Sequence, residues 1–352
     1  MGLSISRLKS ATRTSIAWAL HACSLHRSRL RGKVAILMYH RVLTSEEVTR
    51  QAVQSGMYVL DTVFARQMAF LRDNFTVLSF RELLDLWQAG RWDEQARYCV
   101  ITFDDGWLDN YRHAYPVLKR LELPATIFLP TDYVGSDQWF WPDQIAYLLR
   151  TAQVEWMGAQ YLQRIERVLS EFWSATGVSL GKVLARDERA ADQLIERCKD
   201  LQKDQIQVLV GRLAVELDVP LPAGRVVVNW DEVHEMSEGG ISFGSHSCSH
   251  RIMTTITPSE VSEELAKSGA TLQEKGINYI PVFCYPNGNS DAEIQAQAKA
   301  LGYEAAVSVQ MGVEGAQPGN HFALRRVGIH NDVTHSIPLF SLRLCGFLSR
   351  TN

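Results

Sequence analysis

Two short clusters in the sequence carry side chains that could bind a metal and activate water. Asp104 and Asp105 directly follow one apolar run, and His246 and His250 follow another with the spacing His-x-x-x-His. Two adjacent carboxylates are costly unless a cation neutralises one of them, and two imidazoles at this spacing can reach one point. One aspartate and two histidines leave open positions on a zinc-like ion, as a hydrolytic metal requires. The second aspartate would then be free to act as a general base toward water.

The elements that must position these side chains form an alternating pattern. The predicted strands are residues 33–38, 75–78, 98–103, 125–129, 240–244, 281–284 and 305–308. Helical patterns lie between them, which favours a parallel α/β architecture. Because no Gly-rich phosphate loop follows the first strand, we predict a distorted (β/α) barrel of about seven strands over a doubly wound open sheet. Residues from about 138 to 224 break the alternation, and we predict that they form a helical insertion in this barrel.

The polar clusters fall where a β/α barrel places its active site, at the carboxyl ends of the strands. Besides the two clusters above, the run Tyr285-Pro-Asn-Gly follows the strand at 281–284, and His40 closes the first strand. An Asp-Asp-Gly sequence alone is common in turns, and a lone histidine pair is a weak signal. Their occurrence together at successive strand ends is what predicts a site.

Several of these motifs resemble one known family. Thr-Phe-Asp-Asp-Gly at 102–106 and His-Ser-x-x-His at 246–250 are similar to the first two motifs of the NodB-type polysaccharide deacetylases, carbohydrate esterase family 4. Residues 36–42 and 229–232 also resemble that family. The resemblance spans roughly residues 33–330, interrupted by the insertion, and it identifies residues 33–352 as the deacetylase domain.

The resemblance implies a role for each matched residue. Asp104 corresponds to the catalytic base, and Asp105, His246 and His250 correspond to the ligands of one divalent metal, most often Zn²⁺. The third motif departs from the family, because Arg-x-Pro-Tyr is replaced by Cys-Tyr-Pro-Asn at 284–287. The arginine that usually steadies the base is therefore expected to be missing. The backbone N–H of Asn287 is expected to form the oxyanion hole, a role that does not depend on the side chain.

The general acid has two candidates. Many family members place it in a Leu-x-His motif near the end of the barrel, which Gly-Ile-His330 matches only loosely. In a subset of the family, which includes deacetylases of biofilm poly-N-acetylglucosamine, the motif order is permuted and this histidine lies on the first strand. In this sequence that residue is His40, which we favour over His330.

Other residues could contact a substrate. Tyr285 in the third motif is one candidate, and Trp141 is another, because aromatic faces stack on sugar rings. Packing of Trp139, Phe140 and Trp141 between the insertion and the barrel is the alternative, and the more favoured one. Arg325 and Arg326 could bind an acidic or phosphorylated substrate or pair with surface carboxylates, two expectations between which the sequence does not decide.

The resulting prediction is a metal-dependent hydrolase that removes N-acetyl groups from an exopolysaccharide, an oligosaccharide or a lipid-linked glycan. Hydrolysis of O-acetyl esters or of other N-acyl groups would use the same site. An inactive carbohydrate-binding homologue is the non-enzyme alternative. The net charge of −3 gives no indication of a nucleic-acid partner, and the six cysteines include no Cys-x-x-Cys pair.

The N-terminal segment, residues 1–32, is basic. Residues 1–45 contain eight arginines and lysines and no acidic residue, and the short apolar stretch at 15–20 is a poor match to a secretory signal. This segment is either a basic amphipathic helix at an anionic membrane surface or a solvated tail. We therefore expect the protein in the cytoplasm or at the inner membrane surface, although many members of the family are exported.

Overall fold

The computed structural model describes residues 15–51, 53–54, 56–155, 159–173 and 190–346. The chain divides into two compact units. The first contains the described parts of Met1–Thr44, Ser55–Ser136 and Val227–Asn352, and the second contains those of Ser45–Gln54 and Asp137–Val226.

A closed parallel barrel forms the centre of the first unit. The strands of this unit are β1 (Lys33–Tyr39), β2 (Arg41–Leu43), β3 (Tyr58–Leu60), β4 (Thr76–Leu78), β5 (Arg97–Phe103), β6 (Ala125–Leu129), β7 (Ile241–Ser245), β8 (Tyr279–Cys284), β9 (Ala305–Met311) and β10 (Leu324–Gly328). Neighbours follow the order β1-β10-β9-β8-β7-β6-β5, and β1 also pairs with β5. Seven strands therefore close on themselves, which confirms the predicted barrel.

Four strands lie outside this ring or were not predicted. β4 pairs with β5 at the outside of the closed ring, and β2 pairs with β3 in a separate two-stranded sheet. β10 belongs to the ring but was not recognised in the sequence, because its two adjacent arginines interrupt the apolar pattern. Its burial is nevertheless high, since only Arg325 among its five residues is not buried.

Helices cover the strands of the first unit. They are residues 15–22, Leu25–Arg29, Asp61–Asn74, Phe80–Ala89, Tyr115–Leu121, Trp230–Glu238, Pro258–Glu274, Ala292–Ala300, Asn331–Thr334 and Ile337–Leu344, with a π-helical turn at Asn110–Ala114. Local signals set several of the ends. Ser79 and Glu82 form a capping box, and Gly90 ends that helix with a φ of 62°.

The second unit is helical. Its helices are Ser45–Arg50, Trp141–Glu155, Ala159–Phe172, Ala190–Cys198 and Lys203–Leu217. They enclose a core of their own, in which Ile145, Leu148, Ile165 and Leu209 are fully buried. The segment predicted as a helical insertion, about 138–224, lies in this unit.

The described part of the N-terminal segment packs on the first unit. Ala17 is buried against Leu339 and Leu342, and the ring of His26 stacks 5.3 Å from that of His21. The amphipathic segment predicted at 1–32 is described only from residue 15. No helix in the described ranges combines the length and the apolar character needed to cross a membrane.

Candidate active site

Asp104 lies at the carboxyl end of β5, where β1 and β5 close the barrel. Its backbone N–H donates to the carbonyl of Tyr39 at 2.9 Å, so the residue is fixed to the end of β1. Its carboxylate is almost completely buried, with 4% of the side chain exposed. A buried carboxylate needs a partner, because removal of an ion from water costs several kcal/mol.

That partner is Arg326 on β10. Its two terminal nitrogens donate to the two carboxylate oxygens of Asp104 at 2.7 and 2.8 Å, and its Nε donates to the carbonyl of Ser308 at 2.8 Å. The side chain is fully buried. The expectation that Arg326 binds an acidic substrate or a surface carboxylate is therefore wrong. So is the expectation that the base has no arginine, since β10 supplies one from outside the third motif.

The electrostatic result is a buried carboxylate that stays ionised. Burial raises the pKa of Asp104, but the guanidinium of Arg326 and the nearby His40 and His246 together outweigh this effect, so the pKa of the carboxyl is lowered. A bidentate guanidinium also fixes the plane of the carboxylate, because both N–H groups must meet both oxygens.

Asp105, His246 and His250 converge on one point beside this pair. Oδ1 of Asp105 lies 3.3 Å from Nε2 of His246 and 3.1 Å from Nε2 of His250. Nδ1 of His246 lies 2.7 Å from the carbonyl of Cys284, which requires a proton on Nδ1 and leaves Nε2 as the nitrogen that can bind a cation. One oxygen and two imidazole nitrogens, all within 4.8 Å of one another, fit a zinc-like ion.

Left-handed backbone conformations make this convergence possible. Asp105 has a φ of 71°, and Ser247 and His250 have φ values of 65° and 56°. Gly106 follows at 63°, and a Cβ there would meet the side chain of Leu129 at 2.4 Å. The glycine of the Asp-Asp-Gly sequence is therefore required both by the turn and by the close approach of β6.

Glu264 holds the loop that carries His250. One of its carboxylate oxygens accepts from the backbone N–H groups of Cys248 and Ser249 at 2.7 and 2.9 Å, and the other accepts from the hydroxyl of Ser249. The hydroxyl of Ser247 accepts from the N–H of His250 at 3.0 Å. These bonds fix the turn between the two histidines, so it does not follow a regular helix.

A second group of potential ligands is less suitable. Asp104, His246 and Cys284 also lie within 4.8 Å of one another. Both oxygens of Asp104 are already bonded to Arg326, and the same guanidinium lies 3.3 Å from the sulfur of Cys284. A cation there would face the positive charge of Arg326 directly. The group around Asp105 is therefore the better metal site.

His40 lies beside the base, whereas His330 has a different partner. Nε2 of His40 is 3.9 Å from Oδ2 of Asp104. Burial lowers the pKa of His40, although Asp104 and Asp105 act in the opposite direction. The ring of His330 pairs with Asp332, two residues further along the chain.

The remaining predicted residues divide into two groups. Asn287 lies in the short turn Pro286–Gly288 after β8, with a φ of 58°. Tyr285 is 1% exposed, and its hydroxyl donates to the carbonyl of Phe322 at 3.1 Å, so it is a packing residue. The prediction that its side chain binds substrate is wrong. Trp141 packs against the core of the second unit, and its predicted contact with a sugar ring stays a prediction.

Comparison with known proteins gives a consistent result. The sequence profile described as "Polysaccharide deacetylase" matches residues 92–166 and 212–306. YxkH of Bacillus subtilis is 23% identical over 301 residues, which cover 85% of this chain and 72% of that protein. The poly-β-1,6-N-acetyl-D-glucosamine N-deacetylase of Staphylococcus epidermidis is 25% identical over 187 residues, 53% of this chain and 60% of that protein.

Among solved structures, the deacetylase PplD of Streptococcus pyogenes, in complex with acetate, has a similar fold. The TM-score is 0.54 at 20% identity, and the match covers 86% of this chain and 94% of PplD. The fold similarity therefore extends well beyond the ranges matched by the profile.

Proposed function

The chain belongs to the polysaccharide deacetylase family, and from that premise we propose that it removes N-acetyl groups from an N-acetylated saccharide with the help of one divalent metal, Zn²⁺. The observation that carries the proposal is that a possible metal-binding set and a separate ionised carboxylate lie side by side. Asp105, His246 and His250 form a metal-binding set, and beside them stands a separate carboxylate, Asp104, that Arg326 keeps ionised.

The protein's own groups then have separate tasks. Asp104 accepts a proton from the attacking water, and the backbone N–H of Asn287 donates to the oxygen that becomes negative. His40 returns a proton to the departing amine. Nε2 of His40 lies 3.9 Å from Oδ2 of Asp104, which is too far for a direct hydrogen bond and close enough for one water to connect the two groups. When bound, the metal would polarise the acetyl carbonyl and lower the pKa of water.

The pair formed by Asp104 and Arg326 also argues against an inactive binding module. A module that only binds saccharide needs no ionised carboxylate beside a metal set, and burial of an ion pair is costly. The buried pair is explained if Asp104 acts as a base. The named activity of the Staphylococcus epidermidis relative supports N-deacetylation in particular.

The function is tested by measuring metal content and acetate release from N-acetylglucosamine oligomers. We expect about one metal per chain, with acetate release lost after chelation and restored by Zn²⁺. An O-acetylated oligosaccharide assayed in parallel distinguishes ester hydrolysis. Metal binding without acetate from either substrate would indicate a different acyl group, and a protein that binds no metal would contradict the proposal.

The assignment of the general acid predicts unequal effects at the two histidines. We expect His40→Asn to lower kcat by about 10²- to 10⁴-fold, because His40 is close to Asp104 and Asn cannot return a proton. His330→Asn is the matched control, with an expected change of less than about fivefold, since that ring pairs with Asp332. A large loss for His330→Asn with normal turnover for His40→Asn would reverse the assignment.

We also propose that the basic N-terminal segment contacts an anionic membrane surface. Ile16 and Trp18 are 50% and 58% exposed, and Arg27, Arg29 and Arg31 are exposed nearby in sequence. An interfacial segment combines apolar side chains with basic ones in this way. The backbone N–H of Gly32 donates to the carbonyl of Ala96, just before β1 and β5 begin. The three arginines therefore come just before the barrel end at which these strands begin, and Asp104 lies at the opposite end.

Vesicle binding tests this contact. The combined change R27Q, R29Q and R31Q should weaken binding to vesicles containing phosphatidylserine by about 3 kcal/mol, roughly 150-fold, since each basic residue contributes about 1 kcal/mol. R112Q, K119Q and R120Q remove the same charge elsewhere and should have a much smaller effect. Equal losses for the two triple variants, or no binding by the unmodified protein, would rule out a specific membrane contact.

A further inference from the structure

Trp107 is the buried partner of the metal-facing carboxylate. Its indole Nε1 donates to Oδ2 of Asp105 at 3.0 Å, and the residue is only 1% exposed. The other oxygen, Oδ1, is the one that faces His246 and His250. The indole therefore occupies one oxygen of the carboxylate and directs the other toward the two imidazoles.

The indole is itself held in place by a charged pair. The guanidinium carbon of Arg41 lies 4.3 Å from the centre of the Trp107 ring. Nε of Arg41 donates to Oδ2 of Asp109 at 2.9 Å, and Oδ1 of Asp109 accepts from the backbone N–H of Val42 at 2.8 Å. Asp109 and Arg41 are both buried, at 5% and 8% exposure. A guanidinium that stacks on an aromatic ring and bonds to a buried carboxylate has little freedom to move.

This arrangement matters because the backbone at Asp105 gives its side chain little support. Asp105 stands outside β5, in the left-handed conformation, at the start of a tight turn. An aspartate in such a turn can rotate about its side-chain bonds unless an outside donor fixes it. Trp107 supplies that donor from the same loop, and β2 supplies the arginine that holds Trp107.

We infer that Trp107, held by Arg41 and Asp109, is a positioning residue that fixes Asp105 as a one-oxygen ligand and so sets the affinity of the site for its divalent cation. The inference rests on the proposed metal site. Partners that orient a metal ligand typically contribute 10- to 100-fold to metal affinity. The inference also explains why an arginine directly follows His40. Arg41 lies in β2 and connects this strand to the loop that contains Asp105 and Trp107.

The test is the dissociation constant of Zn²⁺, measured on the full chain by competition with a chelator. Trp107→Phe keeps the ring under Arg41 and removes the N–H, so we expect it to weaken Zn²⁺ binding by about 10- to 100-fold. Trp92→Phe is the matched control, because its Nε1 donates to the carbonyl of Gly32 at the other end of the barrel. We expect the control to stay within about threefold of the wild type.

The variant Asp105→Asn distinguishes failure of the positioning role from failure of the proposed metal site. Asp105→Asn should abolish tight binding. If Asp105→Asn weakens binding and Trp107→Phe does not, the positioning role is wrong and the metal site stands. If Asp105→Asn binds Zn²⁺ as the wild type does, the proposed metal site itself is wrong.

Arg41→Lys tests the same role should Trp107→Phe fail to fold. It keeps the charge beside Asp109 and loses the flat guanidinium over the ring, and we expect about three- to tenfold weaker Zn²⁺ binding. Unchanged Zn²⁺ affinity in a folded Arg41→Lys protein would overturn the role of the arginine in holding Trp107.

Discussion

Asp104→Asn should retain the metal and lose nearly all turnover. The amide has the shape of the carboxylate but cannot accept a proton from water, so we expect kcat to fall by about 10²- to 10⁴-fold. Metal content should stay near one per chain, because the proposed ligands are Asp105, His246 and His250. Acetate release and metal content, measured on the same preparation, check the prediction.

This change also removes the negative charge that faces a buried guanidinium. Arg326 is then left without its counter-ion, and breaking such a buried pair costs about 3–5 kcal/mol in the free energy of unfolding. A thermal melt of the Asn variant therefore belongs with the kinetic measurement. Asp73→Asn, which changes an exposed carboxylate paired with Arg72, is the control. An Asp104→Asn protein that is folded and active at the wild-type rate would exclude Asp104 as the base.

Arg326→Met should lower kcat/KM and move its acidic limb to higher pH. Burial raises the pKa of Asp104, and Arg326 together with nearby histidines lowers it, so removal of the guanidinium leaves only the histidines to oppose burial and should raise the pKa. The base must be ionised to act, and a raised pKa means that activity is already lost at a higher pH. The measurement is the pH profile of kcat/KM for wild type and variant at saturating metal.

The neighbouring arginine provides the control for this experiment. Arg325 is partly exposed and bonds to Glu314, so Arg325→Met should leave the pH profile unchanged. Arg326→Lys should give an intermediate shift, because a lysine keeps the charge but cannot bond to both oxygens in one plane. An Arg326→Met profile that coincides with the wild-type profile would show that Arg326 supports the fold and not the acidity of Asp104.

The stability of the wild type should depend on pH through the same pair. The folded-state pKa of Asp104 lies below its ordinary value, so the unfolded chain binds more protons as the pH falls. The stabilisation is fully present above the ordinary aspartate pKa of about 3.9 and is lost as the pH drops through the lowered value. This loss should be smaller in Arg326→Met, which lacks the guanidinium that helps to lower the pKa of Asp104.

Much of the site could be predicted from local sequence. Asp104, Asp105, His246 and His250 follow strands whose apolar runs are continuous, and the barrel rule then places them at one end. The same reasoning placed His40 at the end of the first strand, where it lies 3.9 Å from Asp104. These predictions needed only the position of a polar residue relative to a recognisable strand.

Other residues could not be predicted in this way. Arg326 lies 222 positions from Asp104, on a strand hidden by two adjacent arginines. A polar pair in an apolar run is normally exposed, and its burial becomes favourable only when a carboxylate is present to receive it. Tyr285 was predicted to contact a substrate but is buried in the core. A tyrosine in a motif gives no sign of whether its ring faces a ligand or the core.

By itself, the sequence determined six of the seven barrel strands, the capped helix that follows Ser79, and the residue types that predict a metal-binding set with a base beside it. These features depend on residue type and on spacing within one element or one turn. The tertiary structure alone decided the pairing of β1 with β5 and β10, the delivery of Arg326 to Asp104, and the stacking of Arg41 on Trp107. The physical reason is that closure of the barrel joins segments far apart in the chain, and hydrophobic periodicity records which face of a strand is buried but not which strand lies beside it.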